Sequence, residues 1–331
     1  MAVRKVEEEI ESLQRLRDVS PVEAAGPLRK ALADRVNLVV AKAAALAAEM
    51  RLRDLLPDLL RAFERLFDDP VKRDPQCWAK NAIAQALVGL EYRESAPFVR
   101  GSRHIQMEPV WGGEEDTALT LRGACVLALV ACNDLPREQV MRHLVDALTG
   151  PAHRVRLEAV RALAQMEGED SALVLRVKAR VGDERPEVVG QVFDALLALE
   201  REQALPFVEE FLNSGAEEAR HEAALSLGSS RLPGSLDRLE QAWIRARDSA
   251  FRLAVLRGMS ASRHERAIAF LLDLVRQETH GEAALEALAI HRDFPEIAGR
   301  VEDAANHAGP AVQRHFRRLF GASKAKLCER A

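Results

Sequence analysis

The sequence predicts an all-α fold, an α-α superhelix (solenoid) in which about nine antiparallel helix pairs stack as a single domain over residues 1–331. Composition is the first reason: 48% of the 331 residues are hydrophobic but only 5% are aromatic, with one tyrosine. Alanine, leucine and valine supply most of the apolar residues, which is typical of closely packed helices. The second reason is a helical segment that recurs about every 31 residues in the second half, because such a recurrence indicates a repeat architecture.

The first half follows the same plan with a looser spacing. Residues 1–18 are predicted to form an N-terminal capping helix, because acidic and apolar side chains alternate along them as on an amphipathic helix that covers the end of a stack. Three longer units follow. Their first helices are expected near Pro21, near Arg53 and in an irregular segment around residues 95–106. Their second helices begin near Val36, Cys77 and Leu121.

In the second half, each unit consists of a helix, a short break and a second helix. One helix of each unit carries apolar residues at three- and four-residue spacing, so one of its faces is expected to be buried. A single pair cannot cover its own apolar face, and the pairs must therefore stack. The recurring segments begin at Val155, Val188, Ala219, Ala250, Gly281 and Val312.

These recurring segments resemble HEAT repeats, most closely the short type found in phycobilisome lyases and in many bacterial proteins of mixed function. The resemblance covers nearly the whole chain and implies a HEAT-like solenoid. It specifies architecture only, since unrelated functions share the motif. The pattern V-R-x-x-A-x-x-A-L is carried by Val155, Arg156, Ala159, Ala162 and Leu163, and in part by Arg220, Ala223, Leu227 and Gly228.

Charge and hydropathy limit the classes of partner. The 47 basic and 51 acidic side chains give a formal net charge of -4, which disfavours a nucleic-acid partner. No apolar run approaches the roughly 18 residues that span a bilayer, so no membrane partner is expected. The N-terminal segment is charged from Arg4 onward and lacks the apolar core of a signal peptide. These features predict a cytoplasmic protein.

The sequence contains none of the common short motifs of catalysis or cofactor binding. Its four cysteines form no CxxC pair and are interpreted as buried free thiols in a reducing compartment. There is no HExxH, no Walker A loop, no GxGxxG and no GxSxG. No cofactor, metal ligand or catalytic residue is therefore predicted.

The dipeptide His221-Glu222 is the feature closest to a metal site. A His-Glu pair at this point of a HEAT helix resembles deoxyhypusine hydroxylase, whose di-iron site uses several such pairs on facing repeats. The matching positions of the other repeats include Leu157 with Glu158 and Gly190 with Gln191. A di-iron site would need several such pairs, and only one is present. We therefore interpret His221 and Glu222 as an exposed polar pair that is available to a partner.

An arginine recurs at one position of successive repeats, at Arg156, Arg220, Arg252 and Arg314. These guanidinium groups suit two uses. Either they form a structural ladder, each bonding an aspartate or a carbonyl in the preceding turn, with Asp183 and Asp248 available, or they contact an acidic partner. Sequence alone leaves both alternatives open.

Residues 100–116 interrupt the helical rhythm and are predicted to be an irregular insertion loop, because they contain Pro109, Gly112 and Gly113. Inserted loops of solenoids lie along one face and often bind partners. The residues that would do so here are His104, Glu108 and Trp111. In the alternative, Trp111 fills a gap between repeats and Asp116 caps the next helix.

The C-terminal end is basic, in contrast to the chain as a whole. Residues 321–331 are predicted to be a basic tail, and Arg317 and Arg318 precede it on a helix whose apolar residues pack on the previous repeat. Such asymmetry marks a contact for an acidic partner, while a solvated capping helix is the alternative.

The predicted function is that of a non-catalytic scaffold or adaptor that binds an unidentified protein partner on its concave surface. Stacked helix pairs generate an extended surface of this kind. Two alternatives remain: a HEAT-like nucleic-acid-binding protein or DNA glycosylase, and a cofactor or chromophore lyase. The first would require a basic groove with nearby aromatic side chains, whereas Trp78, Trp111 and Trp243 fall in separate units.

Overall fold

The computed structural model describes residues 2–214 and 216–328, and the side chains of these except at residues 2–5, 214 and 322–328. The chain divides into two compact units, Met1–Met166 and Glu167–Ala331. Glu167 and Gly168, at the start of the second unit, have φ angles of 54° and 88°. Each unit is a stack of antiparallel helix pairs, so the all-α solenoid architecture is confirmed.

The first unit contains a terminal helix and four helix pairs. Helix α1 continues through a short 3-10 turn, Arg15–Asp18. The four pairs are α2 with α3, α4 with α6, α7 with α8, and α9 with α10. The helices are α1 (Ala2–Gln14), α2 (Pro21–Leu32), α3 (Asn37–Glu49), α4 (Leu56–Arg65), α5 (Pro70–Arg73), α6 (Trp78–Gly89), α7 (Ala96–Ser102), α8 (Leu119–Ala128), α9 (Arg137–Leu148) and α10 (His153–Met166).

The segment predicted as an irregular loop has a regular structure. Residues 96–102 form helix α7, and strands β1 (Met107–Val110) and β2 (Gly113–Asp116) form an antiparallel hairpin. Each strand has only four residues, which is too few for an alternating pattern to be recognised in the sequence. One of the strands also contains a proline, which argues against a strand. Residues 107–116 are called the hairpin below.

The second unit contains five helix pairs in chain order. Together with the four of the first unit they make nine within the described residues, in agreement with the number predicted. The helices are α11 (Gly168–Val181), α12 (Pro186–Glu200), α13 (Leu205–Ser214), α14 (Glu217–Ser230), α15 (Ser235–Arg245), α16 (Ser249–Ser262), α17 (Glu265–Val275), α18 (Gly281–Leu288), α19 (Pro295–Asn306) and α20 (Pro310–Cys328).

Second helices of consecutive pairs pack more closely on each other than first helices do. Helix α3 lies against α6, and α14 lies against both α12 and α16. Glycine makes the closest approach possible, because a Cβ atom on Gly228 would collide with the carbonyl of Gly258, and one on Gly258 with the carbonyl of Ala224. Small side chains thus let the backbones of α14 and α16 come together, which explains the alanine-rich composition.

Local signals in the sequence account for several helix starts. Ser20 and Glu23 form a capping box at the start of α2, and Asp248 accepts hydrogen bonds from the Ala250 and Phe251 amides at the start of α16. Proline occupies the first turn of α12 and α19, where its missing N–H needs no partner. Within the described residues, no helix combines the length and the apolar character that crossing a membrane requires.

Candidate functional site

The hairpin connects the two helices of the third pair. Its register places Glu108 opposite Glu115, Pro109 opposite Glu114, and Val110 opposite Gly113. Gly112 completes the turn at φ 93°, in the left-handed region that favours glycine. A Cβ atom added at Gly112 or Gly113 would meet no atom within 4 Å. The turn therefore projects away from the rest of the first unit.

Glu108 fastens the hairpin to the helices below it. Its side chain is only 5% exposed. Oε1 accepts hydrogen bonds from the Gln76 amide at 2.7 Å, from Gln106 Nε2 at 2.6 Å and from Thr117 Oγ1 at 2.7 Å. Burial alone would raise the pKa of Glu108, but these hydrogen bonds outweigh it and hold the pKa below its ordinary value. Glu108 is thus an anchor rather than a free ligand for a partner.

A buried polar network continues beneath Glu108. Gln106 Nε2 also donates to the Asp74 carbonyl at 2.8 Å. The Asp74 carboxylate accepts hydrogen bonds from Asn37 Nδ2 at 3.0 Å and from the Ala79 amide at 2.8 Å. It also lies 3.0 Å from Lys80 Nζ, and neither of these two side chains is exposed. The hairpin is therefore joined through hydrogen bonds to the pair formed by α4 and α6.

Sequence reasoning missed this network although one signal was present. Lys80 precedes Ile83 and Leu87 on α6, Cys77 lies directly before the helix, and all four side chains are buried. A lysine at a position that helical spacing assigns to the core needs a buried partner, because an uncompensated charge is costly there. The partner Asp74 lies outside α6, in the segment before it.

The base of the hairpin is held by two further contacts. Asp116 Oδ2 pairs with Arg122 at 2.6 Å, and Oδ1 accepts from the Ala118 amide at 3.1 Å, just before the start of α8. The His104 ring packs edge-on against Phe67, with centroids 4.8 Å apart. Burial lowers the pKa of His104, which favours its neutral form. His104 is therefore part of the packing that supports the hairpin.

Trp111, in contrast, is fully exposed at the tip of the hairpin. The alternative in which it fills a gap between repeats is wrong for the described structure. Its position one residue before Gly112, in a turn that projects outward, keeps it from reaching the core. The neighbouring apolar side chains of Ile105, Met107 and Val110 are also exposed. Trp111 and the adjacent Val110, both exposed at the tip, are the candidate contact surface of the hairpin, which is called the Trp111 surface below.

The recurring arginines bond to backbone carbonyls in three of the four cases. Arg156 donates to the Gly150 and Pro151 carbonyls at 3.0 and 2.9 Å, and Arg252 donates to the Ala246 carbonyl at 2.9 Å. Arg220 lies over the Phe251 ring at 4.0 Å and donates to the Leu212 carbonyl at 3.4 Å. The contacts of these three arginines are those of the structural ladder. The fourth arginine of the row, Arg314, is exposed.

His221 and Glu222 lie half-buried on α14 rather than on an exposed face. The His221 ring stacks on Phe251 with a centroid distance of 6.3 Å. Burial, followed by the charges of Asp194 and Glu187, raises the pKa of Glu222. Among the described residues, no group of three or more His, Cys, Asp or Glu side chains is placed to hold a metal ion.

The C-terminal helix packs as the sequence predicts. Val312 and Phe320 are buried, and Phe316 stacks on Phe320 with centroids 5.0 Å apart. Arg317 and Arg318 are exposed, and Arg318 lies 3.1 Å from His315 Nδ1. The segment predicted as a basic tail, residues 321–331, is part of helix α20 as far as Cys328, and its side chains from residue 322 onward lie outside the described residues.

The cysteines within the described side chains are unsuited to nucleophilic chemistry. Cys77 and Cys125 are buried, and Cys132 is half-buried. Burial raises the pKa of Cys77 to about 12 and that of Cys132 to about 11. Because the thiolate is the reactive form, these thiols are unreactive at neutral pH.

Some solved structures are similar to the chain at low sequence identity. No curated protein sequence matches the chain. Among solved structures, human deoxyhypusine hydroxylase in complex with glycerol has 21% sequence identity and a TM-score of 0.31, covering 77% of this chain and 90% of that chain. The complex of CpcE and CpcF of phycocyanin lyase from a Nostoc species has 18% identity and a TM-score of 0.32, covering 69% and 88%.

At these TM-scores, neither similarity bears on the function of the chain. The sequence itself is more informative, because the family model for HEAT repeats matches residues 141–227 and again residues 206–289. The two matched ranges overlap and run from α9 to the 3-10 turn after α18, which are helix pairs in the structure. Residues 141–289 therefore match HEAT repeats, as the recurring V-R-x-x-A-x-x-A-L pattern indicates.

Proposed function

We propose that this protein is a non-catalytic scaffold that binds another protein, and that the Trp111 surface makes the principal contact. One observation carries the proposal: a fully exposed tryptophan stands at the tip of a hairpin that Glu108 holds in place. Tryptophan is the side chain most enriched among residues that dominate binding energy at protein interfaces. An exposed, ordered tryptophan is thus suited to be buried by a partner.

The anchoring supports this use of Trp111. A binding element that is already ordered loses less conformational entropy when its partner binds. Here the order comes from hydrogen bonds between Glu108 and Gln76, Gln106 and Thr117, none of which involves the tip. The tip is therefore presented in one place while its side chain remains available.

The charge of the hairpin argues against a nucleic acid at this surface. Glu114 and Glu115 are exposed beside Trp111, and carboxylates at this position would repel phosphate groups. The acidic hairpin favours the protein-binding proposal over the nucleic-acid alternative.

Affinity purification from native cells, followed by mass spectrometry, tests the proposal with two variants. Trp111→Ala should lose the specific partner while its melting temperature stays unchanged, because the side chain has no buried contacts to lose. Val22→Ala, on a side chain that is 87% exposed in α2, is the matched control and should retain the partner. An identical set of captured proteins for wild type and Trp111→Ala would contradict the proposal.

A further inference from the structure

The hairpin carries four carboxylates and no basic side chain. Two of them are used within the protein, since Glu108 is buried in hydrogen bonds and Asp116 pairs with Arg122. Glu114 and Glu115 are exposed, and no cation of the described residues pairs with either of them. The acidic charge next to Trp111 is therefore available to a partner.

The hairpin register places these carboxylates close to the tryptophan. Glu114 lies opposite Pro109, one residue pair away from the turn that contains Trp111. Neighbouring residues of a strand point to opposite faces, so Glu114 and Glu115 flank the ribbon on both sides. An exposed aromatic side chain near unpaired carboxylates is chemically complementary to a cation.

We propose that the Trp111 surface binds a basic segment of the partner protein, in which an arginine or lysine lies on the Trp111 ring and bonds to Glu114 or Glu115. This inference rests on the proposed function and specifies its partner. Cations bind the face of an indole ring more strongly than that of other aromatic rings. Carboxylates accept short, charge-assisted hydrogen bonds from guanidinium and ammonium groups.

The same chain contains this combination elsewhere. The Arg100 guanidinium lies 4.2 Å from the centroid of the Phe67 ring and also pairs with the Glu64 carboxylate. Arg252 lies 5.4 Å from the Trp243 ring centroid. The first unit thus already holds an arginine between an aromatic ring and a carboxylate, as the proposal requires of the partner's cation at Trp111.

Binding of synthetic peptides tests the partner's chemistry directly. The probes are a short arginine–serine peptide and the same peptide with glutamate in place of every arginine, and binding is measured by calorimetry and by tryptophan fluorescence. The arginine peptide should bind and the glutamate peptide should not. Glu114→Gln/Glu115→Gln should weaken binding about 3- to 10-fold and flatten its salt dependence, as expected for two exposed ion pairs.

Two controls make the result specific. Glu11→Gln/Glu217→Gln removes the same charge from exposed positions of α1 and α14 and should leave peptide binding unchanged. Trp111→Ala should abolish the fluorescence response and weaken binding further than the loss of either carboxylate. Equal weakening in both double variants would mean that the peptide responds to net charge only, and would overturn the inference.

The partner captured by affinity purification separates the two proposals. If capture depends on Trp111 but survives Glu114→Lys/Glu115→Lys, the protein is a scaffold that uses this surface and the basic-partner inference is wrong. If capture depends on neither, the proposed function itself fails. Loss of capture in the charge-reversed variant, restored by replacing an arginine of the identified partner segment with glutamate, is the result expected.

Discussion

Lys80 Nζ lies 3.0 Å from Asp74 Oδ2, and both side chains are completely removed from solvent. Lys80 also donates to the Leu66 carbonyl at 3.3 Å. Asp74 is connected to Glu108 through Gln106, which donates hydrogen bonds to both. The position of the hairpin therefore depends on the interior of the first unit.

Removal of the Lys80 charge should destabilise the protein strongly. Lys80→Met leaves the Asp74 carboxylate buried without its counter-ion, which typically costs about 3–5 kcal/mol of the free energy of unfolding. Chemical denaturation measures this difference. Lys72→Met, on an exposed lysine of α5, should change stability by less than about 0.5 kcal/mol. A Lys80→Met protein as stable as the Lys72→Met control would show that the pair contributes nothing.

The contribution of Glu108 should depend on pH. Its pKa in the folded protein is below the ordinary value of 4.5, so its hydrogen bonds stabilise the fold fully above that value. This stabilisation is lost as the pH falls through the folded pKa, because the unfolded chain binds the proton first. The difference in unfolding free energy between wild type and Glu108→Gln should therefore shrink below pH 4.5. A difference that is constant down to pH 3.5 would contradict the anchoring role of the carboxylate.

His291 should make the protein less stable in mild acid. The ring is buried, its Nε2 lies 3.0 Å from the Ser260 carbonyl, and burial lowers its pKa from the ordinary value of 6.5. Below pH 6.5 the unfolded chain binds a proton that the folded protein resists, so the unfolding free energy falls as the pH decreases. Between pH 7.5 and 5.5, the melting temperature of His291→Gln should decrease less than that of wild type. His307→Gln, on an exposed histidine, should follow the wild type.

The contact between α14 and α16 should not tolerate a methyl group. A Cβ atom at Gly258 would collide with the Ala224 carbonyl, so Gly258→Ala must separate the two backbones, and overpacking of this kind costs about 1–3 kcal/mol or more. Gly299→Ala, in α19, meets no atom within 4 Å and should stabilise the protein by about 0.5–1 kcal/mol. Thermal unfolding of both variants provides the check. Similar melting temperatures would mean that the helices can move apart freely.

The sequence by itself determined the all-helical fold and the number of helix pairs. Each second-half helix repeats its apolar residues at the period of an α-helix, as Val155, Ala159 and Leu163 do, and this local pattern needs no knowledge of distant residues. The recurrence of such segments also identified the HEAT repeats, which the family model matches in the same region. The packing of the C-terminal helix followed from the same rule.

Only the tertiary structure decided the roles of the residues within the predicted insertion. Glu108 and Trp111 are three positions apart, and nothing in the sequence indicates that one is buried and the other fully exposed. The distinction arises from Gln76 and Asp74, which lie 32 positions before Glu108 and Gln106, the residues they contact. Hydrogen bonds across such separations depend on how whole helix pairs stack. Local periodicity therefore predicts the helices, while long-range polar contacts decide which side chain remains available for binding.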